Sequence, residues 1–218
     1  MTLRSSDPAV APAVPSTPAQ RDRRERILDC ATAALRAGGD ALQMKELAQC
    51  ADVSLATLYR YFPAKDHVLL AVTLSRYQRA LARIQAEPPL DGTVRERVTR
   101  HLLREFAAGQ REPRLTSALS QAVSETSHSY STTIQQIERV HLQIIRHVAA
   151  AGAPLSTRHD AVLPVVADVF TAATRRWLAG VWTPAAARFE IRLGCRLLDL
   201  PDDVLDEEIS SSSSRARG

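Results

Sequence analysis

Apolar residues return at three- and four-residue intervals along most of this chain, and no stretch alternates strictly as a half-buried strand would. Punctuating residues cut that pattern into helices predicted at about 20–37, 44–51, 55–62, 64–87, 93–109, 113–125, 129–151, 158–180 and 184–198. Gly38 and Gly39 stop the first helix, and Pro88 with Pro89 stops the fourth. Thr157, three residues before Asp160, predicts a capping-box-like start, while Thr183 before Pro184 predicts a cap with proline at the first helical position. Pro164 predicts a kink or a late start in its helix. The fold class is therefore all-α.

Residues 1–19 are rich in Pro, Ala and Ser without periodicity, and residues 210–218 are a serine run with two arginines, so both ends are expected to be disordered. Between them, residues 20–65 predict a three-helix head and residues 66–209 a larger helical bundle. The most informative stretch is LQMKELAQCADVSLATLYRYFPAK, starting at Leu42. Two short helices crossing through a tight turn need small and apolar side chains at fixed places. Leu47, Ala48, Val53 and Leu58 supply them. Asp52 falls where the turn needs a left-handed residue, a conformation aspartate tolerates, and Ser54 is placed to cap the helix that follows. The spacing predicts a helix-turn-helix, whose second helix would enter the major groove of DNA.

Charge supports that reading once it is divided along the chain. Residues 1–86 hold 12 Lys plus Arg against 8 Asp plus Glu, whereas the remainder holds 16 of each, so the whole net charge of +4 belongs to the first part. A local positive surface is the sequence-independent handle that phosphates require. With 218 residues and 45% of them hydrophobic, the chain can bury a sizeable core. No apolar run approaches the roughly 20 residues that span a bilayer, and no secretory leader is recognisable, which predicts a cytoplasmic protein without a membrane partner. Cys30, Cys50 and Cys195 are odd in number, widely spaced and set in amphipathic patterns, which predicts core thiols rather than a disulfide or metal site. Glycine-rich phosphate loops, nucleophile elbows, metal-spaced His/Cys sets and paired carboxylates are not recognisable, so neither catalysis nor a cofactor is expected.

Together, RDRRERILDCATAALRAGG, MKELAQCAD and VSLATLYRYFPAKDHVL resemble the TetR family of one-component regulators over residues 21 to about 75. The QMKELA and TLYRYFPAK elements are most similar to its KstR-type branch, whose members control sterol and lipid catabolism. The resemblance implies double-stranded operator DNA as partner and places contacts at Gln43, Lys45, Leu55, Ala56, Thr57, Tyr59, Arg60, Tyr61 and Lys65. Each has a physical sense. Lys45 can reach guanine or phosphate, and Leu55, Ala56 and Thr57 suit thymine methyls and backbone. The phenols of Tyr59 and Tyr61 suit phosphate oxygens, and Arg60 can read guanine or grip backbone. Lys65 would join its ammonium to the N–H groups opening the next helix. Gln43 stands where the family has Ser or Thr, so its capping role is in doubt. For Tyr59 helix packing is an equal alternative, and the arginines at 21, 23, 24 and 26 fit either DNA or a solvated helix face.

For the second part the resemblance implies a homodimer and a small-molecule effector. The dimer interface falls on the last two helices, with Phe170, Trp177, Phe189 and Leu193 as candidates. A pocket is expected among the apolar stripes of 94–151, lined by Leu103, Phe106, Leu119, Val123, Tyr130, Ile134, Ile137 and His141. Those stripes are aliphatic, and with the KstR-type likeness they point to a lipophilic effector that releases the repressor from its operator. An alternative is a helical adaptor that contacts proteins rather than DNA.

Overall fold

The computed structural model describes residues 15–38, 42–125 and 131–200, which hold nine α-helices and no strand. They are α1 (Pro18–Ala37), α2 (Met44–Cys50), α3 (Leu55–Tyr61), α4 (Lys65–Ala86), α5 (Val94–Arg111), α6 (Pro113–Glu125), α7 (Ser131–Ala150), α8 (Thr157–Leu178) and α9 (Pro184–Cys195), followed by a 3-10 turn over Arg196–Asp199. Every predicted helix is present, with ends displaced by at most a few residues. The expectations for the first fourteen residues, for the serine tail and for Tyr130 fall outside the described residues.

Capping side chains set several of these ends. Helix α1 starts two residues before its predicted position because Thr17 and Gln20 form a capping box and Pro18 takes a first-turn position. Gly38, at φ 85°, closes it in the left-handed conformation that favours glycine. Helix α8 is capped by Ser156 rather than Thr157. Ser156 is extended, and its Oγ accepts the backbone N–H of His159 at 3.3 Å. Thr183 caps α9 as expected, accepting from the N–H of Ala186 at 3.2 Å. Pro164 neither delays nor ends α8, which runs through it and leaves one carbonyl without its helical donor.

The chain divides into two compact units interleaved in sequence: the chain up to Tyr77 with Glu112–Ile137, and Gln78–Arg111 with the chain from Glu138 onward. The predicted 20–65 head lies inside the first. Its core joins Ile27, Leu28, Ala31 and Leu35 of α1 to Leu47 and Ala48 of α2, Leu58 of α3, and Val68 to Val72 of α4. Leu115, Leu119 and Ala122 of α6, with Ile137 of α7, complete it. At the start of α6, Glu112 pairs with Arg36 at 2.7 Å and Arg76 at 3.4 Å, so one carboxylate spans α1 and α4.

The second unit packs around α8. Its stripe of Leu163, Val166, Phe170, Ala173 and Trp177 meets Val98, Leu102 and Phe106 of α5 and Ala187, Ile191 and Cys195 of α9. Helix α9 approaches α8 closely because position 194 is glycine: a Cβ there would lie 2.7 Å from Val169 Cγ1. Cys195 is a buried free thiol, as predicted. The other two cysteines are not core thiols. Cys30 of α1 and Cys50 of α2 form a disulfide, brought together when α2 folds back on α1.

Candidate DNA-binding site

Within the first unit the turn between α2 and α3 has the geometry its residues predict. Ala51 ends α2, Asp52 takes φ 51°, and the N–H of Val53 returns to the carbonyl of Ala48 at 3.0 Å. Ser54 then opens α3, its Oγ accepting the N–H of Thr57 at 3.1 Å and donating to Thr57 Oγ1 at 2.9 Å. That second bond leaves the Thr57 hydroxyl its own proton to donate outward. Leu58 and Tyr61, three residues apart and so on one helix face, are buried in the core.

The opposite face of α3 is open. Leu55 is 41% and Tyr59 44% exposed, Ala56 and Arg60 are exposed beside them, and Thr57 is half-buried at the edge. Seven residues of helix span about 10 Å, a length that fits a major groove roughly 12 Å wide. Gln43 and Lys45 are exposed on α2, and Lys65, partly exposed, is the first residue of α4. Gln43 sits at the N-cap of α2 but makes no capping bond with its side chain. Tyr61 departs from its expected place: at 3% exposure it belongs to the interior, 6.4 Å from the Phe62 ring, and its phenol does not join the open face. Arg24 also serves packing, its guanidinium lying 5.5 Å from the centre of Phe62. Arg21 remains exposed near the start of α1.

The candidate pocket residues fall in both units. Leu119, Val123, Ile134 and Ile137 belong to or pack on the core of the first unit, whereas Leu103, Phe106 and His141 belong to the second. In the second unit, Phe106 packs edge-on against Trp177 at 5.1 Å, and His141 lies 5.6 Å from Phe170. Glu105 Oε2 is 3.6 Å from Nε2 of both His101 and His141. Burial pushes the His101 imidazole pKa down, against the opposing pull of Glu105. The sequence reading chose His141 but passed over His101 and Glu105, whose i,i+4 spacing within the α5 stripe was the available signal. No group of three His, Cys, Asp or Glu side chains is arranged to hold a metal ion among the described residues. An open groove of about 570 Å³ lies at the α7–α8 junction, lined by Arg146, His147, Leu155 and Asp160 among others, and none of the candidate pocket residues lines it.

Of the dimer candidates, Phe189 and Leu193 are exposed on α9, with Val165 of α8 and Val181 also exposed. Phe170 and Trp177 instead lie on the inward stripe of α8, where Phe170 is buried and Trp177 packs on the core. No helix among the described residues is long and apolar enough to cross a membrane.

A capped, outward-facing helix after a tight turn, set on the core of the first unit, defines the class: a helix-turn-helix DNA-binding regulator. Residues 27–72 match the family model of bacterial regulatory proteins of the tetR family, and residues 92–198 match the tetracyclin repressor-like C-terminal domain. The chain is 31% identical over 181 residues to the HTH-type transcriptional repressor KstR of Mycobacterium tuberculosis, covering 83% of this chain and 82% of that one. A TetR transcriptional regulator from Rhodococcus sp. RHA1 superposes with a TM-score of 0.73 at 26% identity, over 85% of this chain and all of that one. FadR from Bacillus subtilis, solved in complex with stearoyl-CoA, shares the fold at TM-score 0.58 and 14% identity, over 78% of this chain and 96% of that one. The chain belongs to the TetR family of transcriptional regulators, which are DNA-binding factors rather than enzymes.

Proposed function

We propose that this protein is a cytoplasmic repressor that grips a palindromic operator as a homodimer and leaves it when a small lipophilic effector binds its C-terminal helices. The observation that supports the reading is the open face of α3, with Leu55, Ala56, Tyr59 and Arg60 exposed and Thr57 half-buried, together with the exposed Lys45 of α2 and the partly exposed Lys65 that begins α4. Thr57 and Arg60 read base edges, while Lys45, Tyr59 and Lys65 hold phosphates. Gln43 donates its amide to a phosphate instead of capping α2. The exposed Phe189, Leu193, Val165 and Val181 support a two-fold interface on α8 and α9. Two identical heads then meet half-sites separated by whole helical turns of roughly 34–36 Å.

The lipophilic effector is supported by the aliphatic stripes of α5 to α7 and by the likeness to KstR. It acts only through its differential affinity for the DNA-bound and free states. Operator binding is tested by mobility shift on DNA flanking the gene at two salt concentrations, with Lys65→Ala beside the unmodified protein. Loss of one phosphate contact weakens binding to every sequence and reduces the log–log salt slope by about one. Binding that is absent or insensitive to salt overturns the proposal and favours the adaptor.

A further inference from the structure

The Cys30–Cys50 bond lies inside the DNA-binding unit, joining the middle of α1 to the last residue of α2. The two Cα atoms are 6.0 Å apart, within the span a disulfide bridges without backbone movement. Cys50 is exposed and Cys30 partly buried, so a solution reagent meets Cys50 first. Two residues beyond Cys50, Asp52 makes the left-handed turn that launches α3. The bond therefore fixes the point from which the recognition helix departs. A protein that works on chromosomal DNA sits among thiol buffers, and disulfides in such compartments are characteristically transient, serving catalysis or redox sensing.

We infer that Cys30 and Cys50 are a reversible thiol–disulfide site, oxidised by low-molecular-weight disulfides, whose closed form stiffens the helix-turn-helix and raises its affinity for DNA. The expectation that the bond is reversible in its compartment and the affinity consequence rest on the regulator reading; the pairing of the two cysteines and its exchange chemistry do not. In the forward step the Cys50 thiolate attacks one sulfur of the small disulfide, forming a mixed disulfide and expelling one thiolate. The Cys30 thiolate then attacks the Cys50 sulfur, closing the protein bond and expelling the second. The two protein thiol protons end on the two departing thiols. The cysteine pair loses two electrons and the small disulfide gains them. Cys195 stays outside this exchange, because it is buried and burial pushes its thiol pKa up. Closing a loop of this length constrains the unfolded chain, so the oxidised head is the more stable one.

The test uses the full chain, reduced and then incubated with glutathione disulfide, with alkylation of remaining thiols under denaturing conditions and intact mass measurement. The oxidised protein is expected to take one alkyl group, at Cys195, and to return to three on treatment with dithiothreitol. Its thermal midpoint rises by roughly 5 °C or more, and its operator affinity is about threefold or more above that of the reduced form. Cys50→Ser, at an exposed position, keeps the reduced affinity and loses both differences; Cys50→Ala does the same. Alkylation of all three thiols at every glutathione disulfide concentration overturns the inference, as does equal operator affinity in the two states. Expected alkylation and midpoint shift with no DNA binding in either state would support the redox site and overturn the regulator reading instead.

Discussion

Replacing Phe189 by aspartate separates folding of the protomer from its pairing. Phe189 is 63% exposed, so it stabilises the isolated chain little. A phenylalanine side chain buries about 200 Å² when fully covered, so at this exposure roughly 130 Å² remains available to a partner. At about 25 cal/mol/Å², complete coverage stabilises the dimer by about 3 kcal/mol per copy, or about 6 kcal/mol for a symmetric pair. If half is realised, the loss is about 3 kcal/mol, and dimer dissociation is expected to strengthen about a hundredfold. An aspartate in its place adds an uncompensated charge against the partner's apolar face. Equilibrium sedimentation from nanomolar to micromolar concentration measures the change, with circular dichroism and a thermal melt showing that the protomer folds. Leu193→Ser, on the same face of α9, is expected to act in the same direction. An unchanged dimer constant for both variants would refute an interface on this face.

Ser54→Ala removes the cap of α3, costing about 1 kcal/mol and weakening operator binding, while Ser54→Thr restores both; equal melting temperatures for Ser54→Ala and the unmodified protein would sink the capping argument. The second unit should lose stability on acidification. His101 has a lowered pKa, chiefly from burial, with Glu105 raising it and Arg104, His141 and Arg83 lowering it, so the unfolded chain binds more protons below the ordinary value of 6.5. Stability is thus kept above that pH and lost as pH falls through the lowered value. His67 in the first unit shifts in the same direction, again chiefly through burial and against Asp66. Thermal melts from pH 7 to 5 should show the decline, with a shallower slope in His101→Gln; an equal slope removes His101 as a cause.

The helices were readable because apolar spacing and caps are local, and so was the turn, since Asp52 and Ser54 state their conformations by side-chain chemistry. Ser156 and Thr157 show the margin of error: either hydroxyl can cap, and the register of the helix decides which one does. Tyr59 and Tyr61 stand two residues apart, about 200° around a helix, so they could not both face the groove; the spacing of Tyr61 from Leu58 already implied burial. The same reasoning separates Phe170 and Trp177, on the buried stripe of α8, from Phe189 and Leu193 on the open face of α9. Long-range pairings were not readable. Cys30 meets Cys50 only because α2 reverses onto α1, and His101 meets His141 across two helices. The pocket candidates fall in both units because α6 and the start of α7 contribute to the core of the first unit, a choice made by tertiary packing rather than by chain order.

That contribution of α6 bears on how such a head could ever be moved between proteins. Leu115, Leu119 and Ala122, with Ile137 of α7, close a core whose remaining buried side chains end at Val72, far earlier in the chain. A fragment cut after α4 would keep the whole reading motif yet expose the part of α1 that α6 packs against, and it would lose Glu112, the anion that pairs with Arg36 and Arg76. The motif is therefore not a portable cassette. Recombination that exchanges reading heads must carry α6 along or supply a substitute for it, so the sequence of α6 answers to the core of the DNA-binding unit even though it follows α5.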